Sequence, residues 1–412
     1  MDFVGVDIGA SQTRVISQTA RIGVLPNNAV FMEGDVLTNL EPYDNELENT
    51  LEVYFRKVGQ SSIFPLHMLY GTMAERQSRL NIRPSVQENK YKQPLSYASI
   101  LLAAAASRIQ FHSPEKLKLY IAVPPVEVKK AEEAFKEELV GDFEVYFPKY
   151  SGGLTVRLSI YDVVCKEESF MASVSYFFDL TGNITPEAKP FMSSNILSIN
   201  IGASTTDLAV IKNGKYLEKS GKTIPVGGNI ARDYLIGAVA DRYGFDLPID
   251  KAEEAMMEGR LKIGAVYEDI RDIVSDAKDI LAREIVSKLE YYFKSIGMPI
   301  QIMEAIIVSG GGSMRSQYIE NGEVIVTSEP MSTFVTEKLS GWCPNIKVVP
   351  HGDEARLADV KGLYIVAHVD ELKENAANST LAMSKAVEQN ANQQTTTAQP
   401  VQIGVQTAPP VI

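Results

Sequence analysis

Apolar and polar positions along the chain predict strands and helices in mixed order. Apolar runs rich in β-branched residues stand at 3–9 (FVGVDIG), 117–125 (LKLYIAVPP) and 195–202 (NILSINIG), and turn-forming segments follow them. Such runs are typical of buried strands. Residues 143–165 (FEVYFPKYSGGLTVRLSIYDVVC) contain two more β-rich runs around the turn KYSGG. This arrangement predicts a β-hairpin.

Helical patterns stand between and after these runs. The Ala- and Leu-rich stretch 96–109 (SYASILLAAAASRI) predicts a buried helix, and 229–243 predicts a second helix that ends at Gly244. From Tyr267 to Ile296 apolar residues recur at spacings of three and four, which predicts one long amphipathic helix ended by Gly297. A short strand then runs into the glycine loop at 309–313, and 356–369 (RLADVKGLYIVAHV) predicts a closing helix.

This mixture places the chain in the α/β class and divides it in two. The segment TGNITPEAKP at 181–190 separates a first domain, 1–180, from a second, 190–350, and the closing helix at 355–372 is expected to pack back on the first. Residues 374–412 are rich in Asn, Gln, Thr and Ala, too polar to bury a core, and we expect a disordered tail. That tail is either a tolerated extension or a tether for a partner.

Composition excludes several classes of protein. The 412 residues contain no uncharged apolar run of about 18, and the chain opens directly into a strand pattern, so we expect neither a membrane span nor a signal peptide and predict a cytoplasmic protein. A net charge of −12 argues against direct binding to nucleic acid. Two cysteines, Cys165 and Cys343, lack metal-ligand spacing and are expected to be buried core residues.

One phrase occurs twice. Ile-Gly-Ala-Ser-x-Thr stands at 8–13 and again at 201–206, each time between two strand-like runs. A glycine turn there brings backbone N–H groups and hydroxyls together into a nest for phosphate, and two facing copies would grip a polyphosphate from both sides. Asp7 precedes the first copy, within reach of a hydrated Mg²⁺, whereas Asn200 precedes the second. Each glycine turn taken alone is more often a plain β-turn, but three such turns at strand ends, two of them with the same wording, favour a phosphate site.

These motifs resemble a known superfamily. DIGASQT, NIGASTTD, VGGNIARD, VSGGGS and HGDEARLADVKGL are similar, in this order, to the two phosphate loops, the first connecting segment, the adenosine loop and the second connecting segment of the actin, Hsp70 and hexokinase superfamily. Within it the chain most resembles bacterial plasmid-partition (ParM-like) actins. The resemblance covers about residues 1–370 and implies two lobes, each a ribonuclease H-like domain, around a central ATP cleft.

The resemblance also implies roles for individual residues. Glu168, with Glu167 as the alternative, would position the attacking water together with Asp207, although a glutamate at a helix start is also typical of a cap. Asp7 would hold Mg²⁺ through water. Asn200 departs from the aspartate that is usual in the family. The remaining nucleotide-binding residues implied are Gly9, Ala10, Ser11, Gln12, Thr13, Gly202, Ala203, Ser204, Thr205, Gly228, Gly310, Gly311, Gly312, Ser313 and Glu258, the last of which is equally explained by a solvated helix face.

The function implied is a filament that assembles with ATP, or GTP, and Mg²⁺. Hydrolysis on the polymer would drive its turnover, and an adaptor protein would link it to plasmid or phage DNA. Two alternatives come from the same superfamily. A small-molecule kinase or other non-polymerising ATPase is one, although no base for a substrate hydroxyl is evident. An Hsp70-like chaperone is the other, and it would need a β-rich domain after residue 370.

Overall fold

The computed structural model describes residues 2–9, 12–31, 50–59, 67–71, 89–148 and 152–373, with residues 74 and 150. The described residues up to 367 form one structural unit, to which the account below applies, and the described residues 368–373 belong to another. Ala10, Ser11 and the predicted tail at 374–412 lie outside the described residues.

A nine-stranded sheet occupies the first half of the chain. Its spatial order is β3-β2-β1-β7-β9-β8-β5-β6-β4. The strands are β1 (Phe3–Ile8), β2 (Gln12–Ser17), β3 (Ile22–Pro26), β4 (Ala29–Phe31), β5 (Thr50–Lys57), β6 (His67–Gly71), β7 (Lys116–Val123), β8 (Gly141–Phe147) and β9 (Leu154–Glu167). β8 and β9 pair antiparallel from Gly141 to Phe147, which confirms the predicted hairpin.

A second sheet of six strands follows. Its spatial order is β12-β11-β10-β16-β19, and β13 pairs with β11. Two separate ribbons, β14 with β15 and β17 with β18, complete the strands described. Their bounds are β10 (Asn195–Ile201), β11 (Thr206–Lys212), β12 (Lys215–Tyr216), β13 (Lys222–Ile224), β14 (Arg260–Ile263), β15 (Val266–Asp269), β16 (Ala305–Ser309), β17 (Ser316–Glu320), β18 (Glu323–Ser328) and β19 (Lys347–Pro350).

The two sheets repeat one arrangement. β1 pairs antiparallel with β2 and parallel with β7, which pairs parallel with β9. β10 pairs in the same way with β11 and β16, and β16 pairs parallel with β19. Each copy of the Ile-Gly-Ala-Ser phrase therefore joins the same two strands of its sheet.

Eight helices lie among the described residues. They are α1 (Pro94–Phe111), α2 (Val128–Leu139), α3 (Glu168–Phe177), α4 (Gly228–Tyr243), α5 (Ile249–Glu258), α6 (Arg271–Ile296), α7 (Met331–Leu339) and α8, which begins at 358 and is described through 373. α1 and α4 confirm two predicted helices, and Gly244 ends α4 in the left-handed conformation.

The predicted start of the long helix at Tyr267 is wrong. Val266–Asp269 pairs with β14, and α6 begins at Arg271, where the Asp269 carboxylate accepts the backbone N–H of Arg271 at 3.0 Å. A carboxylate in that position satisfies one of the free N–H groups of the first turn. The predicted end at Gly297 is confirmed.

Helices cover both faces of each sheet. α1 and α2 pack with the first sheet, α6 and α7 pack with the second, and both cysteines are buried. α3 lies against both sheets, because Met171 and Val174 join the cluster around Tyr120 while Tyr176 and Phe177 join the cluster around Ile196. Among the described helices, none has the length and apolar character that crossing a bilayer requires.

Candidate functional site

The first repeated phrase forms a tight turn between β1 and β2. Gly9 donates its backbone N–H to the carbonyl oxygen of Gln12 at 2.9 Å. A Cβ on Gly9 would lie only 2.8 Å from that carbonyl oxygen, so the turn closes because the residue has no side chain. Thr13 is the second residue of the return strand, and its Oγ1 is buried without a hydrogen bond to any described residue.

The second phrase repeats this geometry between β10 and β11. Gly202 donates its N–H to the Thr205 carbonyl oxygen at 2.8 Å. The start of α4 lies directly behind the turn, since Gly228 N–H bonds the Gly202 carbonyl at 2.9 Å and Asn229 N–H bonds that of Ala203 at 2.6 Å. The Asn229 side chain also donates to the Ser204 hydroxyl at 2.9 Å. The first residues of α4 thus hold the loop in place by donating hydrogen bonds to the carbonyl groups of the loop.

The third glycine loop packs against the end of β10. Gly310 has φ of +87°, and a Cβ there would lie 2.4 Å from the Ile201 carbonyl oxygen and 2.5 Å from Asn200 Oδ1. A Cβ on Gly312 would lie 2.5 Å from Ile201 Cγ2. Ser313 donates its hydroxyl to the Gly310 carbonyl at 2.7 Å and thereby closes the loop. The second and third loops are therefore in direct contact.

Asp7 forms an ion pair that the sequence analysis did not identify. Its carboxylate accepts a hydrogen bond from Arg14 Nη1 at 2.8 Å, across the β1–β2 hairpin where the two residues face each other in register. Arg14 Nη1 also lies 3.3 Å from the position of a Cβ on Gly9. A guanidinium group thus lies beside the first turn. The hairpin register could have located it, because a turn after Ile8 places Asp7 and Arg14 on one face.

Lys90 connects the first turn to Glu168. Its Nζ donates to the carbonyl oxygen of Ile8 and to Glu168 Oε1, both at 2.8 Å. Burial alone would lower the pKa of Lys90, but the charges of Glu168, Asp7 and Asp207 outweigh it and raise that pKa. Lys90 therefore stays charged. No sequence signal pointed to it, because it follows a stretch without periodic pattern.

Asp207 lies next to Glu168. Burial has the largest effect on the pKa of Asp207 and the negative charge of Glu168 the next largest, and together they raise that pKa well above its usual value. The hydrogen bond from the Thr223 hydroxyl and the charge of Lys90 act in the opposite direction but are smaller in total. The two carboxyl groups are close enough for their charges to interact. Two carboxyl groups so close disfavour ionisation of both, and Asp207 is the one whose pKa is raised.

Asn200 reaches a further carboxyl group, on α8. Asn200 Nδ2 lies 3.0 Å from each carboxyl oxygen of Asp359, which is buried. Burial, followed by the charges of Asp7 and Glu168, raises the pKa of Asp359 well above its usual value, although the Asn200 hydrogen bond and Arg14 oppose the shift. The closing helix thus contributes a carboxyl group to the same cluster, which the sequence analysis did not identify.

The two candidate glutamates have different surroundings. Glu167 ends β9 and accepts a hydrogen bond from the Tyr216 hydroxyl at 2.8 Å, and burial raises its pKa. Glu168 begins α3 and contacts Lys90. Of the two, Glu168 is the one joined to the first turn.

Glu258 has its own cationic partner. Its carboxylate pairs with Arg260 Nε at 2.8 Å, and the Arg260 guanidinium lies over the rings of Tyr267 and Tyr318, at 4.1 Å and 3.7 Å from their centroids. The Thr327 hydroxyl donates to the Glu258 carbonyl at 2.9 Å. Contact of Glu258 with a nucleobase stays a prediction.

No direct metal site is evident in the described part of the chain. There, no three or more His, Cys, Asp or Glu side chains are grouped so that they could hold a metal ion. Asp7, Glu168 and Asp359 are close enough to influence one another electrostatically. Arg14 bonds one oxygen of Asp7, Lys90 bonds one oxygen of Glu168, and Asn200 contacts both oxygens of Asp359. A cation here would depend on water and on the ligand for most of its coordination.

Comparison with known proteins agrees with this architecture. The model of the N-terminal domain of actin-like proteins matches residues 5–170, and the model of the C-terminal part of the archaeal MreB-like actin homologue matches residues 198–317. Together they cover more than half of the chain. No curated protein matches the sequence.

Solved structures share the fold at low sequence identity. The actin-like protein Alp7A superimposes with a TM-score of 0.69 at 15% identity, over 92% of this chain and 98% of its own. ParM of Bacillus thuringiensis solved with ATP superimposes with a TM-score of 0.62 at 17% identity, over 90% of this chain and 99% of its own. The archaeal actin homologue Ta0583 superimposes with a TM-score of 0.61 at 16% identity, over 89% of this chain and 99% of its own. Their two-lobed α/β architecture confirms the predicted fold class. The chain belongs to the actin-like proteins.

Proposed function

We propose that this chain is a cytoplasmic, ATP-dependent filament protein that hydrolyses ATP on the polymer. The observation that carries the proposal is the convergence of Asp7, Lys90, Glu168 and Asp207 in one buried cluster beside the first glycine turn. These residues are separated by up to 200 positions in sequence. Buried ionisable groups with strongly shifted pKa values concentrate at functional sites.

The residues present fit a nucleoside triphosphate. A Cβ on Gly9 would clash with the Gln12 carbonyl oxygen, and one on Gly202 would crowd the Thr205 carbonyl oxygen at 3.1 Å, as expected where backbone must approach phosphate closely. The orphaned Thr13 hydroxyl is available beside the first turn. Arg14 adds a cation. Gly310–Gly312 would lie against the nucleoside, with the predicted domains 1–180 and 190–350 on the two sides.

Mg²⁺, when bound, neutralises part of the phosphate charge during phosphoryl transfer. Asp7 would hold it through water, because Mg²⁺ keeps several of its waters and contacts only one or two carboxylates. Glu168 would orient the attacking water, and Asp207, protonated, would donate to Glu168 and fix its orientation. GTP would satisfy the same phosphate contacts.

Similarity to partition proteins supports polymerisation. ParM structures with ATP, AMPPNP and ADP are among the neighbours, and another neighbour is a ParM quadruple mutant described as non-polymerisable. By analogy we propose that the filament moves plasmid or phage DNA through an adaptor protein and does not bind DNA itself. The acidic net charge of −12 agrees with an indirect link.

Glu168→Gln tests the proposal, with Glu167→Gln as the matched control. The two glutamates are adjacent, but only Glu168 contacts Lys90. We expect Glu168→Gln to lower phosphate release by about 10²-fold. Light scattering after addition of ATP and Mg²⁺ should still report filaments, and these should outlast wild-type filaments because the bound ATP is retained. Glu167→Gln should release phosphate within about twofold of the wild-type rate.

Three results would change the conclusion. Loss of activity in Glu167→Gln alone would move the water-positioning role to Glu167. A wild-type chain that hydrolyses ATP without pelleting or scattering light would favour a non-polymerising ATPase or a small-molecule kinase on the same fold. A wild-type chain that neither binds nor hydrolyses ATP would refute the nucleotide site itself.

A further inference from the structure

Lys90 is a buried cation whose ammonium group is held at two points. Its side chain is only 4% exposed, and its Nζ bonds the Ile8 carbonyl oxygen and Glu168 Oε1. Ile8 directly precedes the glycine of the first turn. Glu168 is the first residue of α3. One ammonium group therefore connects the backbone of the turn to the carboxylate that would position the water.

The backbone that carries Lys90 is held independently of this ion pair. Residues 89–92, here called the 89–92 strap, precede α1, and the backbone N–H groups of Asn89 and Lys90 both donate to the carboxylate of Glu127. Glu127 is itself buried and stands immediately before α2. Glu127 therefore sets where the Lys90 side chain starts, and Glu168 accepts a donor whose place is already determined.

We propose that Lys90 is a positioning residue for ATP hydrolysis: it holds the Glu168 carboxylate at a fixed place beside the first phosphate turn. This proposal rests on the function proposed above. A glutamate side chain has three rotatable bonds, and the Lys90 ammonium group holds the Glu168 carboxylate through a hydrogen bond of 2.8 Å. Without Lys90 the carboxylate loses its charged donor and its link to the turn, and misplacement of a water-orienting group by about 1 Å can cost roughly 10²-fold in rate.

Lys90→Met tests the proposal, and Lys92→Met is the matched control. Both lysines belong to the 89–92 strap, but Lys92 is exposed and its Nζ lies 5.7 Å from the Tyr91 ring centroid. We expect Lys90→Met to lower kcat for ATP by roughly ten- to hundredfold while KM changes by less than about threefold. Lys90→Arg keeps the charge and a donor and should recover most of kcat. Lys92→Met should match wild type.

A double variant separates positioning from an independent effect. If Lys90 acts through Glu168, Lys90→Met with Glu168→Gln should be no slower than Glu168→Gln alone, because the group to be positioned is already absent. Multiplied losses would overturn the proposal, as would a Lys90→Met kcat within about twofold of wild type. A purely structural ion pair would lower thermal stability without changing kcat of the folded fraction.

Loss of a buried cation can also prevent folding, so a milder variant is included. Glu127→Gln keeps Lys90 charged and replaces only one of the two Glu127 oxygens that accept the backbone N–H groups of Asn89 and Lys90. We expect a smaller fall in kcat, about threefold or more, at unchanged KM. If Lys90→Met is unfolded by circular dichroism and Glu127→Gln retains full kcat, the proposal is wrong. A wild-type chain without ATPase activity would instead refute the proposed function on which it rests.

Discussion

Gly310→Ala should be the most costly single-methyl change in the candidate site. Gly310 has φ of +87° and ψ of 167°, a region that residues with a Cβ almost never adopt. The added Cβ would lie 2.4 Å from the Ile201 carbonyl oxygen and 2.5 Å from Asn200 Oδ1. Ordinary contacts of a Cβ are longer by about an ångström, and a backbone oxygen in a paired strand has little freedom to move.

The two contributions can be estimated separately. Backbone strain in this region costs on the order of 1–3 kcal/mol. Overpacking against a fixed neighbour costs about 1–3 kcal/mol more. We therefore expect the free energy of unfolding to fall by about 4 kcal/mol, a large part of the usual 5–15 kcal/mol.

Urea denaturation of the nucleotide-free protein measures this change, with Gly311→Ala as the control. The nearest atom to a Cβ on Gly311 is Arg356 Cβ at 4.0 Å, so that substitution should stay within about 0.5 kcal/mol of wild type. The third loop packs on the end of β10, so Gly310→Ala should also weaken binding of a fluorescent ATP analogue by about tenfold relative to Gly311→Ala. Equal stability of the two variants would refute the geometric reasoning.

Two further predictions concern α8 and its surroundings. Gly362→Ala would place a Cβ 2.0 Å from the Met171 carbonyl oxygen, so it should lower the free energy of unfolding measured in urea by about 2 kcal/mol. Gly237→Ala is the control, because its Cβ meets nothing within 4 Å, and it should raise the free energy of unfolding by up to about 1 kcal/mol. Equal effects of the two substitutions would contradict the close packing of α8 on α3. Burial, followed by the charge of Lys361, lowers the pKa of His351 to about 4. Below about pH 6.5 the unfolded chain binds a proton that His351 in the folded chain does not, so stability present above that pH is lost as pH falls toward 4. Wild type should therefore lose about 3 kcal/mol of unfolding free energy over that range relative to His351→Gln. Parallel pH–stability curves would refute the assignment.

Local sequence patterns predicted much of the fold. The glycine turns at Gly9 and Gly202 were predictable because a glycine between two β-branched runs has few alternatives to a tight turn. α1 and the end of α6 were predictable because composition and a glycine cap act over short distances. The start of α6 was not, because Tyr267 fits a helical apolar spacing and pairing with β14 overrides it.

Side chains from distant segments were harder to predict. Lys90 reaches the site from a strap fixed by Glu127, 37 residues further along the chain. Asp359 lies within a helix whose periodic pattern indicates only which face is buried. Its position beside Asn200 depends on how α8 packs against the rest of the fold. The types of residue were visible in the sequence, but their partners are decided by tertiary structure.

The charges of the buried cluster indicate in which form the proposed nucleotide would bind. Asp7 is paired with Arg14, and Glu168 is paired with Lys90. The raised pKa values of Asp207 and Asp359 favour the neutral form of these two carboxyl groups. The cluster is therefore close to electrically balanced before binding, and both of its cations already have carboxylate partners. In the proposed function, a free triphosphate would bring several negative charges beside Asp7 and Glu168, and Arg14 and Lys90 would meet them while still paired with these carboxylates. Mg²⁺ bound with the phosphates would offset that charge, so we expect the proposed site to prefer the magnesium complex over the free nucleotide.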